Sequence, residues 1–180
     1  LLLGCVMPAM PAARHAQADF ALPQTASMRD LFGGTLSVLF PLGWTASSSP
    51  EQLLLTNDRG FLEDPDYIPP SGALAIAIAP LPPSQAAALI PDTQELMPLT
   101  LLAAFTEAQG LNIFSPPQPF DLGNYRAALA LAGSEAGDTL AMMLELDNVY
   151  LSIIAVAAPG ELDRRQPMIR AIVSSASYQN

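Results

Sequence analysis

Residues 36–57 constrain the fold of this chain more than any other stretch. An apolar run at residues 36–40 leads into Pro41-Leu42-Gly43-Trp44, a polar turn follows, and a second apolar run covers residues 53–55. Trp44 is the only tryptophan in the chain. Two short apolar runs separated by turn residues predict paired β-strands. We therefore expect a first hairpin here, with Trp44 packed against it as an anchor.

The remaining patterns predict an α+β fold. Residues 73–80 are apolar on both faces, which is typical of a central strand that is covered on both sides. Three further strand-length runs separated by turn residues predict an antiparallel meander: 125–132, 139–146 and 149–157. Helical spacing predicts helices at 84–89, 98–109 and 161–176, the last of which could begin at Pro167, and a helical turn at 26–32. Short strands are predicted at 112–114 and 120–122.

These elements together predict an α/β/α sandwich. Its central sheet is mostly antiparallel, has six to seven strands and is covered by helices. The expected division of the chain is a signal peptide remnant (1–18), an N-terminal extension (19–34) and a single domain (35–180).

The N-terminal residues predict export from the cytoplasm. An apolar run ends at Ala16-Gln17-Ala18, which fits cleavage by signal peptidase after Ala18. Alternatively, Leu2-Leu3-Gly4-Cys5 resembles a lipobox, which predicts lipidation at Cys5 and a lipid anchor. Either alternative predicts an extracytoplasmic protein: secreted, periplasmic or anchored at the outer face of a membrane.

The charged residues exclude several classes of function. Asp and Glu total 17 against 7 basic residues, all of which are arginine, so the chain lacks the basic patch of a nucleic-acid binder. The only cysteine and the only histidine, Cys5 and His15, lie in the predicted leader. The mature chain would then contain no Cys, His or Lys, which excludes the usual nucleophile–base pairs and makes zinc improbable. No cofactor is predicted.

Carboxylates supply the chemistry that remains. The loop at 58–72 carries Asp58, Glu63, Asp64 and Asp66, a set that could bind a hard cation such as calcium or help to bind a small molecule. Glu145 and Asp147 are two residues apart at a strand end, a spacing that would suit a carboxylate-only hydrolase.

Two other groups of residues suggest a protein partner. Tyr67 and Ile68 stand beside Pro69-Pro70 and could form an exposed apolar loop tip. Arg164 and Arg165 open the last predicted helix and could form a charged patch.

The order of elements and a few residues resemble the PsbP/Mog1-like superfamily. The resemblance rests on Pro41, Gly43 and Trp44 between two strands, and on a C-terminal helix that ends in Ser-x-Ser-Tyr at residues 175–178. It implies an α/β/α sandwich around an antiparallel sheet. Members in plants and cyanobacteria assist photosystem II, and the fungal founder binds a small GTPase. The resemblance therefore implies a non-enzymatic domain that binds a protein partner or assists assembly of an envelope or membrane complex.

Overall fold

The computed structural model describes residues 20–64, 66–90, 96–123, 125–134, 137–146 and 149–179. Within these residues the strands are β1 (Gln24–Leu31), β2 (Gly34–Phe40), β3 (Thr45–Ser48), β4 (Leu53–Thr56), β5 (Leu74–Leu81), β6 (Ile113–Leu122), β7 (Tyr125–Ser134), β8 (Gly137–Leu146), β9 (Val149–Ala157) and β10 (Ser177–Gln179). The helices are α1 (Gly60–Glu63), α2 (Pro83–Leu89), α3 (Pro98–Ala108) and α4 (Leu162–Ser174).

The strands form two antiparallel sheets. The larger sheet has seven strands in the order β3-β4-β5-β9-β8-β7-β6, and the smaller has three in the order β1-β2-β10. The predicted meander is confirmed, since β7, β8 and β9 pair in sequence through eight or nine residue pairs at each step. The predicted central position of β5 is also confirmed, because β5 lies between β4 and β9.

The seven-stranded sheet is the middle of three layers. Because successive strand residues point to opposite faces, Leu129 packs on one side and Ala128 and Ala130 pack on the other. One face is covered by α2 and α3, chiefly through buried Ala86, Leu101 and Leu102. The other is covered by α4 and the small sheet, whose buried residues include Leu36, Val38, Ile169, Ile172 and Val173. The predicted α+β sandwich with a central antiparallel sheet is thus confirmed, with a small sheet added to one outer layer.

The hairpin predicted between residues 36–40 and 53–55 is wrong. The two runs lie in different sheets, because β2 pairs with β1 and β10 while β4 pairs with β3 and β5. The partner of β4 is a strand within the segment that was predicted to be a polar turn. Strand β3 is polar because it is a short, exposed edge, where burial does not demand apolar residues. Trp44 is half-buried and packs against the main core, as predicted.

The helical turn predicted at 26–32 is also wrong. Residues 24–31 form β1, in which Ala26 and Met28 are buried and Ser27 and Arg29 are exposed. This alternation has the period of a strand, and it was obscured in the sequence by the mixture of small and polar residues. The same pairing buries Leu36 and Val38 of β2 completely.

Two elements that contain proline, strand β6 and helix α4, differ in extent from the prediction. The two short strands predicted around Pro116-Pro117 are a single strand, β6, with one register shift between Ile113 and Ser115 and a second, across the prolines, between Ser115 and Gln118. An edge strand tolerates proline because one row of its N–H groups has no partner strand. Helix α4 begins at Leu162, so Pro167 lies inside it on an exposed face, and the alternative start at Pro167 is wrong. Strand β10, which follows α4, was not predicted.

Candidate docking surface

The segment at 58–72 connects β4 to β5 and folds onto itself. The Asp58 carboxylate accepts a hydrogen bond from the Gly60 N–H over 2.9 Å, which orders the first residue of α1. The Tyr67 ring lies against Gly60 so closely that a Cβ there would collide with it. The same ring meets Phe61 edge-on, with 5.0 Å between centroids. Residues 58–64, 66 and 67 therefore form a compact turn around the two aromatic rings.

Asp58 and Tyr67 influence each other's ionisation. The Gly60 N–H, and after it the hydrogen bond from Tyr67, lowers the pKa of Asp58 below the usual range of an aspartate. Partial burial, followed by the hydrogen bond to Asp58 and its negative charge, raises the pKa of the Tyr67 phenol. Both pKa shifts favour the same state, in which the ionised Asp58 carboxylate accepts a hydrogen bond from the protonated Tyr67 hydroxyl.

Helix α4 holds the other end of the segment. The Glu161 carboxylate accepts hydrogen bonds from the Ser71 hydroxyl and, over 2.8 Å, from the Gly72 N–H. Arg165 donates from Nη2 to the Gly72 carbonyl over 3.0 Å and lies 3.6 Å from Glu161 Oε2. The Ser71 hydroxyl, the Gly72 N–H and the two arginines at the start of α4 together lower the pKa of Glu161.

Asn57 completes this attachment from the β4 side. Its amide nitrogen donates to the Gly72 carbonyl over 2.8 Å, and its carbonyl oxygen accepts the Leu74 N–H over 2.7 Å. Gly72 adopts φ +91°, a conformation that a residue with a side chain rarely adopts. The loop is therefore fixed at both of its ends, which loop length alone would not have indicated.

This fixed segment presents apolar side chains to solvent. Ile68 is 66% exposed and Leu62 is 39% exposed, although the backbone around them is hydrogen-bonded. Glu63, Asp64 and Asp66 lie in the same segment and are all exposed. We refer to Leu62, Ile68 and these three acidic residues as the docking tip. It combines an apolar centre with negative charge.

The residues predicted to bind a protein partner divide into two groups. Ile68 is open to solvent, whereas Tyr67 is half-buried and supports the turn beneath it. Arg164 is exposed at the start of α4, whereas Arg165 is engaged with Gly72 and Glu161. The contacts of Arg165 place the start of α4 beside the base of the loop. Ile68 and Arg164 are thus open to solvent, whereas Tyr67 and Arg165 make contacts within the domain. Partner binding by these four residues stays a prediction.

The four residues predicted to bind calcium are used differently. Asp58 caps Gly60, and Asp64 accepts the Asp66 N–H over 2.9 Å. Among the residues that the structure describes, no group of three or more His, Cys, Asp or Glu side chains is arranged to hold a metal ion. The described geometry therefore shows no assembled calcium site, and calcium binding by these four residues stays a prediction.

Only one residue of the predicted hydrolase pair lies within the described part of the chain. Glu145 lies on β8 opposite Tyr150, and its carboxylate is 2.6 Å from Arg126 Nη2 on the neighbouring strand. Asp147 lies outside the described residues, as do Cys5 and the whole predicted leader. Glu145 is therefore observed as the partner of a cross-strand arginine.

Sequence reasoning missed the residues that fix the loop and those that line a cleft. Glu161, Ser71 and Asn57 carry no recognisable motif, and only the glycine at 72 marked a turn. At the opposite end of β4 and β5, a cleft of about 690 Å³ lies beside Arg29, Asp30 and Phe32. The sequence did not indicate this cleft, because residues 26–32 lack the apolar pattern of a strand and predict a helical turn.

Comparisons with known proteins give matches among solved structures. No helix in the described parts of the chain has the length and apolarity to cross a membrane. Neither protein-family models nor curated proteins give a match. The fold is similar to the solution structure of cyanobacterial PsbP from Synechocystis sp. PCC 6803, with 14% sequence identity and a TM-score of 0.47. The similarity covers 88% of this chain and 94% of that one. It is a similarity of fold.

Proposed function

We propose that this chain is a non-enzymatic, extracytoplasmic protein-binding domain whose docking tip contacts the partner. The observation that carries the proposal is an ordered loop with an exposed apolar centre. Ile68 is 66% exposed on a segment that is hydrogen-bonded at both ends. A fixed loop loses little conformational entropy on binding, so an apolar side chain held in this way is suited to recognition.

Charge indicates the chemistry of the partner. Glu63, Asp64 and Asp66 lie exposed in the same segment as Leu62 and Ile68, and the chain as a whole has a formal charge of −10. A complementary surface would combine an apolar depression with basic residues at its rim. We expect such a partner in an envelope or membrane complex, because the N-terminal residues predict export and, in one alternative, a lipid anchor at Cys5.

The roles of Glu161 and Arg165 follow from their contacts. They hold the Ser71-Gly72 end of the loop against α4 and so set the direction in which the docking tip leaves the domain. Under this proposal they are positioning residues, and Arg164 is the exposed arginine near the base of the same loop. Truncation of Ile68 should weaken binding directly, whereas substitution of Glu161 should weaken it by loosening the loop.

The test is quantitative capture of a partner from an envelope extract with the full chain as bait. The variants are Ile68→Ser and Leu62→Ser, and the matched control is Phe114→Ser. Phe114 is 62% exposed on the far edge strand β6, five strand spacings from β4, or about 24 Å. An anchor residue at an interface typically contributes enough that truncation weakens binding about tenfold or more.

We expect Ile68→Ser to lose the partner and Phe114→Ser to retain it. The interaction should also weaken as salt is raised, because exposed charges are screened. Equal capture by the wild-type chain and by both docking-tip variants would contradict the proposal. Loss of the partner in Phe114→Ser alone would move the interface to the opposite edge of the sheet.

A further inference from the structure

A second candidate site lies at the end of the seven-stranded sheet opposite the docking tip. Three segments border a cleft of about 690 Å³ there: the end of β1 with its turn, the β3–β4 hairpin, and the connection from β5 to α2. This volume is within the range of about 300–1,000 Å³ that small-molecule sites occupy. The cleft therefore has the size of a ligand site, and its lining decides which ligand.

A β-bulge determines which side chains reach the cleft. Met28 pairs with Leu36 and Leu31 pairs with Gly34, so two residues of β1, Arg29 and Asp30, oppose the single residue Thr35 of β2. Asp30 has φ 60°, in the left-handed region. In a regular strand, two consecutive side chains would point to opposite faces. With the bulge, Arg29 and Asp30 are both exposed and both line the cleft.

The turn that follows holds an aromatic residue in an unfavourable backbone conformation. Phe32 has φ 50° and is 46% exposed beside the same cleft. The Tyr178 hydroxyl of β10 donates to the Leu31 carbonyl over 2.7 Å and so fixes the turn from the other side. Left-handed backbone at non-glycine residues occurs preferentially at functional sites, where surrounding contacts maintain it. The turn that carries Phe32 into the cleft lining is thus held by a hydrogen bond from β10.

The charged groups of the cleft are free to bind a ligand. Among the described residues, the Arg29 guanidinium and the carboxylates of Asp30 and Glu51 have no hydrogen-bond or ion-pair partner. The Arg29 guanidinium can form a bidentate ion pair with a carboxylate. The two acidic side chains can accept hydrogen bonds from an ammonium group. Phe32 and the neighbouring proline rings offer apolar contact.

We propose that this cleft binds a small zwitterion with an apolar side chain, either a free amino acid or a short peptide. Arg29 binds the carboxylate of the ligand, Asp30 and Glu51 bind its ammonium group, and Phe32 packs against its side chain. The site is separate from the docking tip, because it lies at the other ends of β4 and β5. If this ligand-binding proposal fails, the proposed protein-binding function is unaffected.

The test is calorimetric titration of the full chain with phenylalanine and with the dipeptide phenylalanyl-glycine. Each probe is compared with its N-acetylated and its C-amidated form, which lack the ammonium and the carboxylate respectively. We expect saturable binding of one or both unmodified probes, which distinguishes amino acid from peptide, and at least tenfold weaker binding of each blocked form. Loss of a charge-assisted hydrogen bond typically weakens an interaction by about tenfold or more.

Two variants and one control locate the site. Arg29→Gln should weaken binding about tenfold or more, whereas Arg59→Gln, at an exposed arginine in the docking-tip loop, should leave it unchanged. Phe32→Asn removes the aromatic ring but keeps a residue that tolerates left-handed backbone, so the turn is retained while affinity falls. Absence of saturable binding for all probes would overturn the proposal, and so would unchanged binding in Arg29→Gln.

Discussion

Gly34→Ala tests the unexpected contact between the C-terminal strand and the first hairpin. A Cβ at position 34 would lie 2.5 Å from the backbone oxygen of Gln179 and 2.6 Å from Cζ of Tyr178. Comfortable contact needs about 3.5 Å or more, so β10 would have to move about 1 Å away from β2. A backbone carbonyl cannot rotate away as the end of a side chain can. The collision should therefore separate the strands.

The magnitude follows from two opposing effects. Overpacking costs about 1–3 kcal/mol, while replacing glycine by alanine restricts the unfolded chain and stabilises by about 0.4–1 kcal/mol. The net loss should centre on about 1.3 kcal/mol and reach at most about 2.6 kcal/mol, so the central value corresponds to about 3–5 °C in Tm for a chain of this size. Thermal denaturation followed by circular dichroism measures it. In a chain truncated after Ala176, which lacks β10, the same substitution should be neutral or stabilising. Equal destabilisation in both chains would refute the reasoning.

Three further predictions concern the docking-tip loop. Gly60→Ala should displace the Tyr67 ring and return the phenol pKa toward its usual value, as measured by alkaline absorbance titration against Tyr67→Phe; an unchanged titration would contradict the packing described. Because the pKa of Glu161 is lowered in the folded state, its stabilisation is present above the unfolded-state pKa and is lost as pH falls through the folded-state pKa. The difference in Tm between wild type and Glu161→Gln should therefore disappear in acid, and a difference that persists at low pH would refute this. Since Asp58 and Asp64 already bind backbone N–H groups, calcium titration should show no saturable heat; a heat that Asp64→Asn removes would establish the calcium alternative.

Strong local periodicity explains what the sequence could predict. Strands β7, β8 and β9 are long, apolar and separated by turn residues, so their order and pairing followed directly. The small residues of β5 marked it as a strand covered on both faces. Helix α3 shows the spacing of an amphipathic helix. In each of these elements local propensity agrees with the final packing.

Pairing with segments that carry no clear strand pattern, some of them distant in the chain, explains what the sequence could not predict. Strand β2 was recognised, but its partners are residues 24–31 and 177–179, one of which contains several polar residues while the other has only three residues. Nothing local distinguishes those partners from β4. The attachment of the loop to α4 likewise joins Ser71 to Glu161, 90 positions apart. The bulge at Arg29 and Asp30 lies in the β1–β2 hairpin. Because the sequence predicted a helical turn where β1 forms, the bulge and the cleft beside it could not be foreseen.

The central claim is that the docking tip contacts a protein partner, and site-specific photo-crosslinking tests it most directly. A photoreactive amino acid is placed at position 68 in the full chain, and at position 114 as the matched exposed control. We predict a discrete crosslinked protein from position 68, reduced by raised salt and by Glu161→Gln, and none from position 114. Crosslinking from position 114 but not from position 68, or none from either, would contradict the account.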